Sequence, residues 1–442
     1  MLTSWLLACT SGTIPSDSTP ADSDPVADDT QPVDTAPPVE APKNLLILTI
    51  DTLRRNELGI YGGDADTPVL DGLLGSGRHY TDTRSCSNWT YPGMACGMLG
   101  VDIVEHDFLP GTSDPATTSL PGDITTIAEK LQGGGFRTAL VSGNGIVGPS
   151  LGFAAGFDTV QIEDGGTGEQ LVELALGVLD GWQAEDTEAP WALHLHLMDP
   201  HLPYDPPLEY MAGLEKLEQM PWDLTSRPGI QGLAEARALG TVDDETWELA
   251  NALIRGGYQA ELAYMDDALE RFMAELETRD AVDDTLFVLW SDHGESFGEN
   301  DIWLHHMSIY AAESMAIGAM VHPGSIPESE VDEPIAIQAF GPMALELLGV
   351  ETYTAPEGPR FNDATMPDGF LTSVEQDGFR LIFESWTGGL ELYELAADPA
   401  ESENLYAPGD ARVASMWELL GPRAATILEI APESLYVDPV LD

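Results

Sequence analysis

Two short apolar runs, far apart in the chain, have the pattern of buried strands and end in polar residues. Residues 44–50 and 286–290 are almost continuously hydrophobic and contain β-branched or aromatic side chains, as strands in the middle of a parallel sheet do. Asp51 follows the first run, and Asp292 and His293 follow the second. Because ligand sites of open α/β sheets lie at the carboxyl ends of strands, we expect these three side chains to meet at one sheet edge.

Two carboxylates and an imidazole are a natural ligand set for one divalent metal ion, here Ca²⁺, Zn²⁺ or Mn²⁺. A catalytic site of this kind also needs an open position for the substrate. Taken alone, Asp292 and His293 fit equally well a helix-capping Asp beside a surface His. A second strand that ends in an acidic residue, Asp51, favours the interpretation as a metal site over the helix cap.

A third segment, residues 87–96, predicts a helix that begins next to a hydroxyl group. Pro92 fits the first turn of a helix, where its missing N–H would have no partner. Thr90 is then expected just ahead of the helix N-terminus, where free N–H groups and the helix dipole favour an anion. Beside a metal this hydroxyl would be an activated nucleophile. The alternative is an N-cap Thr without chemistry.

The rest of the pattern predicts one large α/β domain and a smaller unit after it. From about residue 351, Pro and Gly punctuate short alternating runs, which predicts a small antiparallel sheet packed on the main domain. The leucines that alternate with His194 and His196 place both imidazoles on one strand face, and we interpret them as structural. The predicted elements are helices over 124–132, 266–276 and 334–349, and strands over 136–141, 370–374, 379–383 and 390–394.

Taken in order, these motifs resemble the sulfatase family of the alkaline phosphatase superfamily, from about Lys43 to Leu405. The resemblance implies a large mixed, mostly parallel sheet sandwiched by helices in residues 43–350, with the small antiparallel sheet in a C-terminal subdomain over 351–442. The motifs that carry it include Asp51-Thr52-Leu53-Arg54, Thr90-Tyr91-Pro92-Gly93, Met198-Asp199-Pro200-His201, Ser291-Asp292-His293-Gly294-Glu295 and Leu392-Tyr393-Glu394-Leu395.

The resemblance also implies a role for each candidate residue. It makes His201 a contact of the anionic group being transferred, although His201 could instead cap a rigid loop between two prolines. His305 falls where relatives bind the same group or protonate the leaving oxygen, and one of His305 and His306 is expected to be solvent-exposed. The implied metal ligands are Asp51, Asp292 and His293, together with Thr90, the implied nucleophile.

Several departures from the family pattern narrow the chemistry. Thr90 stands where sulfatases carry the Cys or Ser that becomes formylglycine, and Met94 replaces the Arg of that motif. Residues 141–145 lack the Lys and His that hold sulfate in many members, and Thr52 replaces a second Asp. The resemblance therefore implies a hydrolase or transferase of phosphate or sulfate esters that uses Thr90, as in the phosphoethanolamine transferases and phosphodiesterases of the superfamily. Two alternatives stay open, a degenerate surface lipoprotein that only binds an anionic ligand and a structural protein with a relic metal site.

Charge limits the partners of the protein. The chain has 76 acidic and 17 basic residues, a net charge of −59, which argues against nucleic acid and anionic membrane surfaces as direct partners. The expected partner is a small anionic ester or a surface glycan or lipid substrate. The metal and His201 would have to overcome the long-range repulsion locally, helped by salt screening.

The first residues predict where the protein is found. Residues 1–9 are short and apolar, and Leu6-Leu7-Ala8-Cys9 resembles a bacterial lipobox, although no Lys or Arg precedes it. Residues 10–42, rich in Pro, Asp, Thr and Ser, predict a disordered tether. We therefore expect an extracytoplasmic lipoprotein held to the membrane only through Cys9, the alternative being a cytoplasmic protein. In an oxidising compartment Cys86 and Cys96 could pair, and two buried thiols are the other possibility.

Overall fold

The computed structural model describes residues 41–106, 119–185, 188–356 and 358–441. The predicted signal segment over 1–9, with Cys9, and nearly all of the predicted tether over 10–42 lie outside these residues. Among the described residues, no helix combines the length and the apolar character needed to cross a membrane.

Strands and helices alternate through the first two thirds of the described chain, and a run of strands and one long helix complete it. The strands are β1 (Asn44–Ile50), β2 (Arg78–Tyr80), β3 (Thr83–Arg84), β4 (Arg137–Ser142), β5 (Thr159–Ile162), β6 (Trp191–Leu197), β7 (Thr285–Ser291), β8 (Ser296–Phe297), β9 (Trp303–Leu304), β10 (Met315–Ala316), β11 (Gly318–Val321), β12 (Ser329–Val331), β13 (Ile335–Ala336), β14 (Arg360–Thr365), β15 (Phe370–Gln376), β16 (Phe379–Glu384) and β17 (Gly389–Glu394). The α-helices are α1 (Pro68–Gly75), α2 (Thr90–Leu99), α3 (Ile103–His106), α4 (Ile127–Gly133), α5 (Gly168–Ala184), α6 (Arg227–Ala238), α7 (Asp244–Thr278), α8 (Ala311–Ser314), α9 (Phe340–Leu347) and α10 (Ala411–Ile430).

An eight-stranded sheet forms the centre of the fold, in the order β12-β2-β11-β7-β1-β6-β4-β5. The five strands from β7 to β5 run parallel, and β11 is antiparallel to both of its neighbours. The prediction of a mixed, mostly parallel sheet is therefore confirmed. At the end of β1, Ile50 pairs with Leu197 of β6 and Ser291 of β7. The residues that follow these three strands thus leave the sheet side by side at the same edge.

Helices cover both faces of this sheet because its central strands are apolar on both sides. Successive side chains of a strand point to opposite faces. Leu46 and Leu48 of β1 belong to the core that includes α1, α5 and α7, whereas Leu45 belongs to the core that includes α2, α4 and α9. A continuously hydrophobic run in the sequence therefore corresponds to a strand that is buried on both faces of the sheet.

Some predicted helix bounds differ from those in the structure. The helix expected over 124–132 is α4, which begins later because Thr126 forms a capping box with Glu129. The helix expected over 266–276 is the last third of the 35-residue α7. The segment 334–349 holds β13 before α9, and the helix stops near Gly349, whose φ of 69° suits glycine.

The small antiparallel sheet near the C-terminus is present, in the order β14-β15-β16-β17. Three of its strands match the predicted ones, while β14 and the covering helix α10 were not predicted. Strand β14 also holds the segment 85–87 in front of α2. Asn362 Nδ2 donates to Ser85 O (2.8 Å), Asp363 N donates to Cys86 O (2.9 Å), and Ser87 Oγ donates to Asp363 O (2.7 Å).

Candidate active site

Asp51, Asp292 and His293 lie together at the sheet edge where β1 and β7 end, and all three side chains are fully buried. One ligand atom from each lies within 4.8 Å of the others. His293 Nε2 is 3.6 Å from Asp51 Oδ1 and 3.5 Å from Asp292 Oδ2. The parallel pairing of β1 and β7 produces this cluster, because it brings two strand ends that are far apart in sequence next to each other.

The hydrogen bonds of this cluster leave its ligand atoms free for a cation. His293 Nδ1–H donates to Gly294 O (2.8 Å), so its Nε2 presents a lone pair to the two carboxylates. Asp292 Oδ1 accepts from the N–H groups of Thr52 and His293, whereas Asp292 Oδ2 is buried and makes no hydrogen bond with the described residues. The chemistry and orientation of the three donors therefore fit one divalent metal ion.

Electrostatics also favours a cation between the two carboxylates. Burial and then the nearby charge of Asp51 raise the pKa of Asp292 well above its ordinary value. Burial alone would also raise the pKa of Asp51, but the adjacent His196 and the charges of nearby histidines lower it. Two buried carboxyl groups in one pocket repel each other when both are ionised, and a divalent cation would remove that cost.

Thr90 lies beside this cluster, at the start of α2. The prediction placed it just ahead of the helix. It is instead the first helical residue, and the N-cap position is occupied by Trp89, without a side-chain cap. The Thr90 hydroxyl donates towards Asp51 Oδ2 (3.2 Å) and lies 3.5 Å from His293 Nε2. Because the hydroxyl faces the carboxylate and not the helix N–H groups, the interpretation of Thr90 as an N-cap is wrong.

Two glycines let α2 approach the end of β7 this closely. A Cβ atom at Gly93 would lie 2.7 Å from Asp292 O, and one at Gly97 would lie 2.3 Å from the Trp290 ring. Both distances are too short for a real contact. Gly93 and Gly97 are therefore required for the packing that brings Thr90 to the candidate metal ligands.

Two side chains that sequence reasoning did not assign to the site hold Asp51 in place. Asn144 Nδ2 donates to Asp51 Oδ2 (2.9 Å), and His196 Nε2 lies 3.5 Å from the same oxygen. The Thr49 hydroxyl lies between His196 Nδ1 (2.8 Å) and His194 Nε2 (3.1 Å). His194 and His196 thus lie outside the cluster of candidate metal ligands, and His196 lies next to one of them, Asp51.

His305 is buried on the open side of the cluster. Its ring centroid lies 4.7 Å from that of His293 and 5.0 Å from that of His201. His305 Nδ1 lies 3.1 Å from Glu295 Oε1, and its Nε2 lies 3.3 Å from Arg227 Nη2. An arginine can only donate, so Nε2 accepts and the proton of the neutral ring is on Nδ1. Burial and then the neighbouring His293 and His201 lower the pKa of His305 well below its ordinary value, while burial raises the pKa of Glu295 to about 7.

Neither member of the His305-His306 pair is fully exposed, contrary to the expectation for one of them. His306 is half-buried and stacks on Trp89, with ring centroids 4.7 Å apart and planes 15° from parallel. The Trp89 indole, next to Thr90 in the chain, supplies a flat apolar surface for this imidazole, which the sequence order did not reveal.

His201 is carried by a loop with two cis peptide bonds, Asp199-Pro200 and Leu202-Pro203. Its Nδ1–H donates to Leu202 O (2.6 Å), and its half-buried ring faces His305. Under this loop lies a pair of buried carboxyl groups. Asp199 accepts from Gly168 N (2.6 Å) and Glu261 accepts from Asp205 N (2.5 Å), and the two carboxyl groups hydrogen-bond to each other.

Arg227 is a further residue of the site that was not predicted. It begins α6, in the segment between β6 and α7, and Ser226 caps that helix by accepting from Gly229 N (3.4 Å). Its half-buried guanidinium reaches His305 from the side opposite Glu295. No motif marks this position, and the segment that carries it lies far from the other site residues in sequence.

Cys86 and Cys96 form a disulfide in the structure. Of the two possibilities left open by the sequence, pairing is thus the one the structure contains. The bond joins the segment before α2 to the second turn of that helix, on either side of Thr90. Both cysteines are fully buried, and Cys96 Sγ lies 3.4 Å from His106 Nε2.

The family model of the sulfatases matches residues 43–350, which is well over half of the chain. The match covers the main sheet, both strand ends with their candidate ligands, and α2 with Thr90. The chain belongs to the sulfatase family. A sulfatase of Formosa agariphila is 26% identical over 233 residues, which are 48% of this chain and 45% of that protein. The chain therefore spans less than half the length of this relative.

Solved structures show the same fold at low sequence identity. A protein in complex with its substrate D-glucosamine-2-N,6-O-disulfate superposes with a TM-score of 0.69 at 18% identity, covering 88% of this chain and 98% of that one. The phosphonate monoester hydrolase of Agrobacterium radiobacter superposes with a TM-score of 0.65 at 18% identity, covering 88% and 96%. These neighbours confirm the fold class, including the C-terminal sheet.

Proposed function

We propose that the protein is a metal-dependent hydrolase or transferase that attacks a phosphate or sulfate ester through Thr90. The observation that carries this proposal is the position of the Thr90 hydroxyl, 3.2 Å from Asp51 and 3.5 Å from His293. A lone hydroxyl is a poor nucleophile at neutral pH, and it becomes a good one when its pKa falls or a base accepts its proton.

Asp51, Asp292, His293 and Thr90 would hold the metal. When bound, the metal would supply positive charge that lowers the pKa of the Thr90 hydroxyl and neutralises charge on the ester. The Thr90 hydroxyl donates its proton towards Asp51 as its oxygen bonds to phosphorus or sulfur, and the bond to the leaving oxygen breaks. His201 and His305 line the open side of the cluster, where they contact the anionic group.

His305 and Glu295 together can supply the proton that the leaving oxygen needs. Glu295 accepts the Nδ1–H of His305 and would stabilise the ring when Nε2 takes up a second proton from solvent. The doubly protonated ring would then give its Nε2 proton to the leaving oxygen and return to the neutral form, which is general acid catalysis through an imidazole.

The spacing of the ligand atoms supports a small cation. Thr90 Oγ1, His293 Nε2, Asp51 Oδ1 and Asp292 Oδ2 are separated by 3.4–3.6 Å in the four measured pairs. Donors this close together would suit a small cation such as Zn²⁺, which imidazole and carboxylate ligands hold at roughly 2.0–2.2 Å. Ca²⁺ takes six to eight oxygen ligands at about 2.3–2.6 Å. We therefore favour Zn²⁺ or Mn²⁺ over Ca²⁺.

The substrate we favour is a phosphorus ester. Thr90 cannot form the aldehyde hydrate that attacks sulfur in sulfatases, and Met94 is not the Arg of that motif. A phosphonate monoester hydrolase is among the structural neighbours, and so is a protein that acts on a sulfated sugar. A protein that only binds such an anion is the second candidate, because Met94 and the segment 141–145 lack the charged groups of active sulfatases.

Turnover by Thr90 variants tests the proposal. Thr90→Ala should lose essentially all hydrolysis of aryl phosphodiesters and phosphonates, because no nucleophile remains, while keeping its metal and its fold. Thr90→Ser should retain part of the activity, and Thr90→Cys should not create a sulfatase, because Met94 breaks the maturation motif. Thr241→Ala, at an exposed position, is the matched control. Full activity in Thr90→Ala would refute the proposal, and metal binding without turnover in the wild type would favour the binding protein.

We also propose that the protein is an extracytoplasmic lipoprotein anchored through Cys9. The lipobox-like residues 6–9 support this, as does the Cys86–Cys96 disulfide, since disulfides persist mainly in oxidising compartments.

A further inference from the structure

We propose that Arg227 is the side chain that binds the anionic group of the substrate, an assignment that rests on the proposed function of the site. Arg227 begins α6, and the apolar face of that helix anchors it, since Ile230 and Leu233 are fully buried in the main core. A charged group on such a fixed helix start is held in one place, which is what selective anion binding requires.

The pairing of the guanidinium is unusual for this chain. Only 17 basic residues face 76 acidic ones, and most arginines in the described part of the chain form ion pairs. Within these described residues Arg227 has no ion pair, and its one hydrogen-bond partner is His305 Nε2 at 3.3 Å. Since a guanidinium keeps its charge, this half-buried cation has no direct carboxylate partner, and the carboxyl group of Glu295 lies on the other side of the His305 ring.

Two other arginines in the described chain also lack ion pairs, but neither resembles Arg227. Arg55 lies over the Tyr61 ring and donates to Thr81 O, and Arg78 is exposed on β2. Arg227 alone among these three faces the candidate metal ligands. Its guanidinium contacts His305, whose ring centroid lies 4.7 Å from that of His293.

Arg227 supplies a positive charge that the sequence motifs of the site lack. The family arginine is replaced by Met94, and the segment 141–145 has no Lys or His, so the usual cations of the site are missing. Arg227 brings a cation to the same space from a different part of the chain. Its planar fork matches two oxygens of a tetrahedral anion, so the ligand class is an ester with two free oxygens on phosphorus or sulfur. Phosphodiesters, phosphonate monoesters and sulfate monoesters meet this requirement.

Binding of such an anion would also change the state of His305. In the structure Arg227 Nη2 donates a hydrogen bond to the lone pair of His305 Nε2. When the guanidinium turns to the oxygens of a ligand, Nε2 becomes free to face the leaving oxygen. Arg227 would thus couple occupancy of the anion site to the availability of His305.

Calorimetric binding of inorganic phosphate to the metal-loaded protein tests the proposal without requiring turnover. A charged hydrogen-bond pair contributes enough that Arg227→Ala should weaken phosphate binding by about 10–100-fold. Arg227→Lys should recover part of this loss, because it keeps the charge and loses the fork. Arg237→Ala, on the same helix but paired with Asp244 over the Trp247 ring, is the matched control and should bind phosphate like the wild type.

The kinetic signature is a rise in KM for aryl phosphodiesters in Arg227→Ala that is larger than the fall in kcat. Should Arg227→Ala lose its metal or its fold, Arg227→Gln, which keeps a polar side chain with part of the aliphatic stem and removes the charge, gives the comparison. Wild-type phosphate affinity in a folded, metal-loaded Arg227→Ala or Arg227→Gln protein would overturn the assignment. Phosphate binding should also be compared between Thr90→Ala and the double variant Thr90→Ala/Arg227→Ala. Because neither protein has the proposed nucleophile, a difference between them reports on anion binding by Arg227 whether or not Thr90 is catalytic.

Discussion

The buried carboxyl pair under the His201 loop makes stability depend on pH. Burial is the main reason that the pKa of Glu261 is raised from 4.5 to about 8, and it raises the pKa of Asp199 to about 6. The folded protein therefore keeps a proton between pH 4.5 and 8 that the unfolded chain releases. Stability from this group is complete below pH 4.5 and is lost as pH rises to about 8.

The rise in the pKa of Glu261 determines how much the free energy of unfolding changes with pH. A rise from 4.5 to about 8 corresponds to on the order of 4–5 kcal/mol, since one pKa unit is worth about 1.4 kcal/mol. Asp199 shares the proton, so its own shift is not added. A chain of 442 residues has an unfolding entropy of about 0.9 kcal/mol/K, so the effect on Tm is at most about 5 °C. We expect roughly 2–5 °C.

The assay is the change in Tm between pH 5 and pH 9 for the wild type and Glu261→Gln. The Gln side chain can still accept from Asp205 N and can donate to Asp199 without a titrating proton. Its Tm should therefore fall by roughly 2–5 °C less than that of the wild type over this range. Glu270→Gln, exposed on the same helix α7, is the control and should follow the wild type. Equal pH dependence in the wild type and Glu261→Gln would show that the pair does not share a buried proton.

Two further predictions concern the metal and the compartment. Removal of the metal with a chelator should lower the Tm and abolish turnover, and Zn²⁺ or Mn²⁺ should restore both better than Ca²⁺; elemental analysis showing stoichiometric Ca²⁺ alone would contradict the choice of cation. Cys9→Ser should move the full chain from the membrane fraction to the soluble fraction on cell fractionation, and identical partitioning of the wild type and the variant would exclude the lipid anchor.

The parts of the site that lie at strand ends could be predicted from the sequence. Asp51 and Asp292 each follow an apolar run, and parallel pairing of two such runs is a general property of α/β sheets. Thr90 could be found because proline and glycine mark the start of a helix. In each case the information is local, within about ten residues of the side chain concerned.

The remaining site residues depend on contacts that local patterns do not contain. Asn144 was noticed only as part of a segment that lacks Lys and His, yet it holds Asp51. Arg227 comes from a segment of about 45 residues between β6 and α7, whose path over the site is set by tertiary packing. His196 was placed on the correct strand, but its distance from Asp51 depends on the register between β6 and β1. Strand β14 and helix α10 were missed because neither has a strong periodic signal.

The hydrogen bonds between β14 and the segment 85–87 mean that the C-terminal sheet helps to position Thr90, the proposed nucleophile. Those hydrogen bonds attach the backbone just before α2 to a strand that lies beyond the family match at residue 350. A chimera that exchanged the C-terminal sheet between relatives would thus also replace the support behind Thr90. The residues that form these hydrogen bonds, such as Asn362 and Ser87, would have to come from the same relative. The activity of such a chimera would therefore depend on a part of the chain that contains no candidate catalytic group.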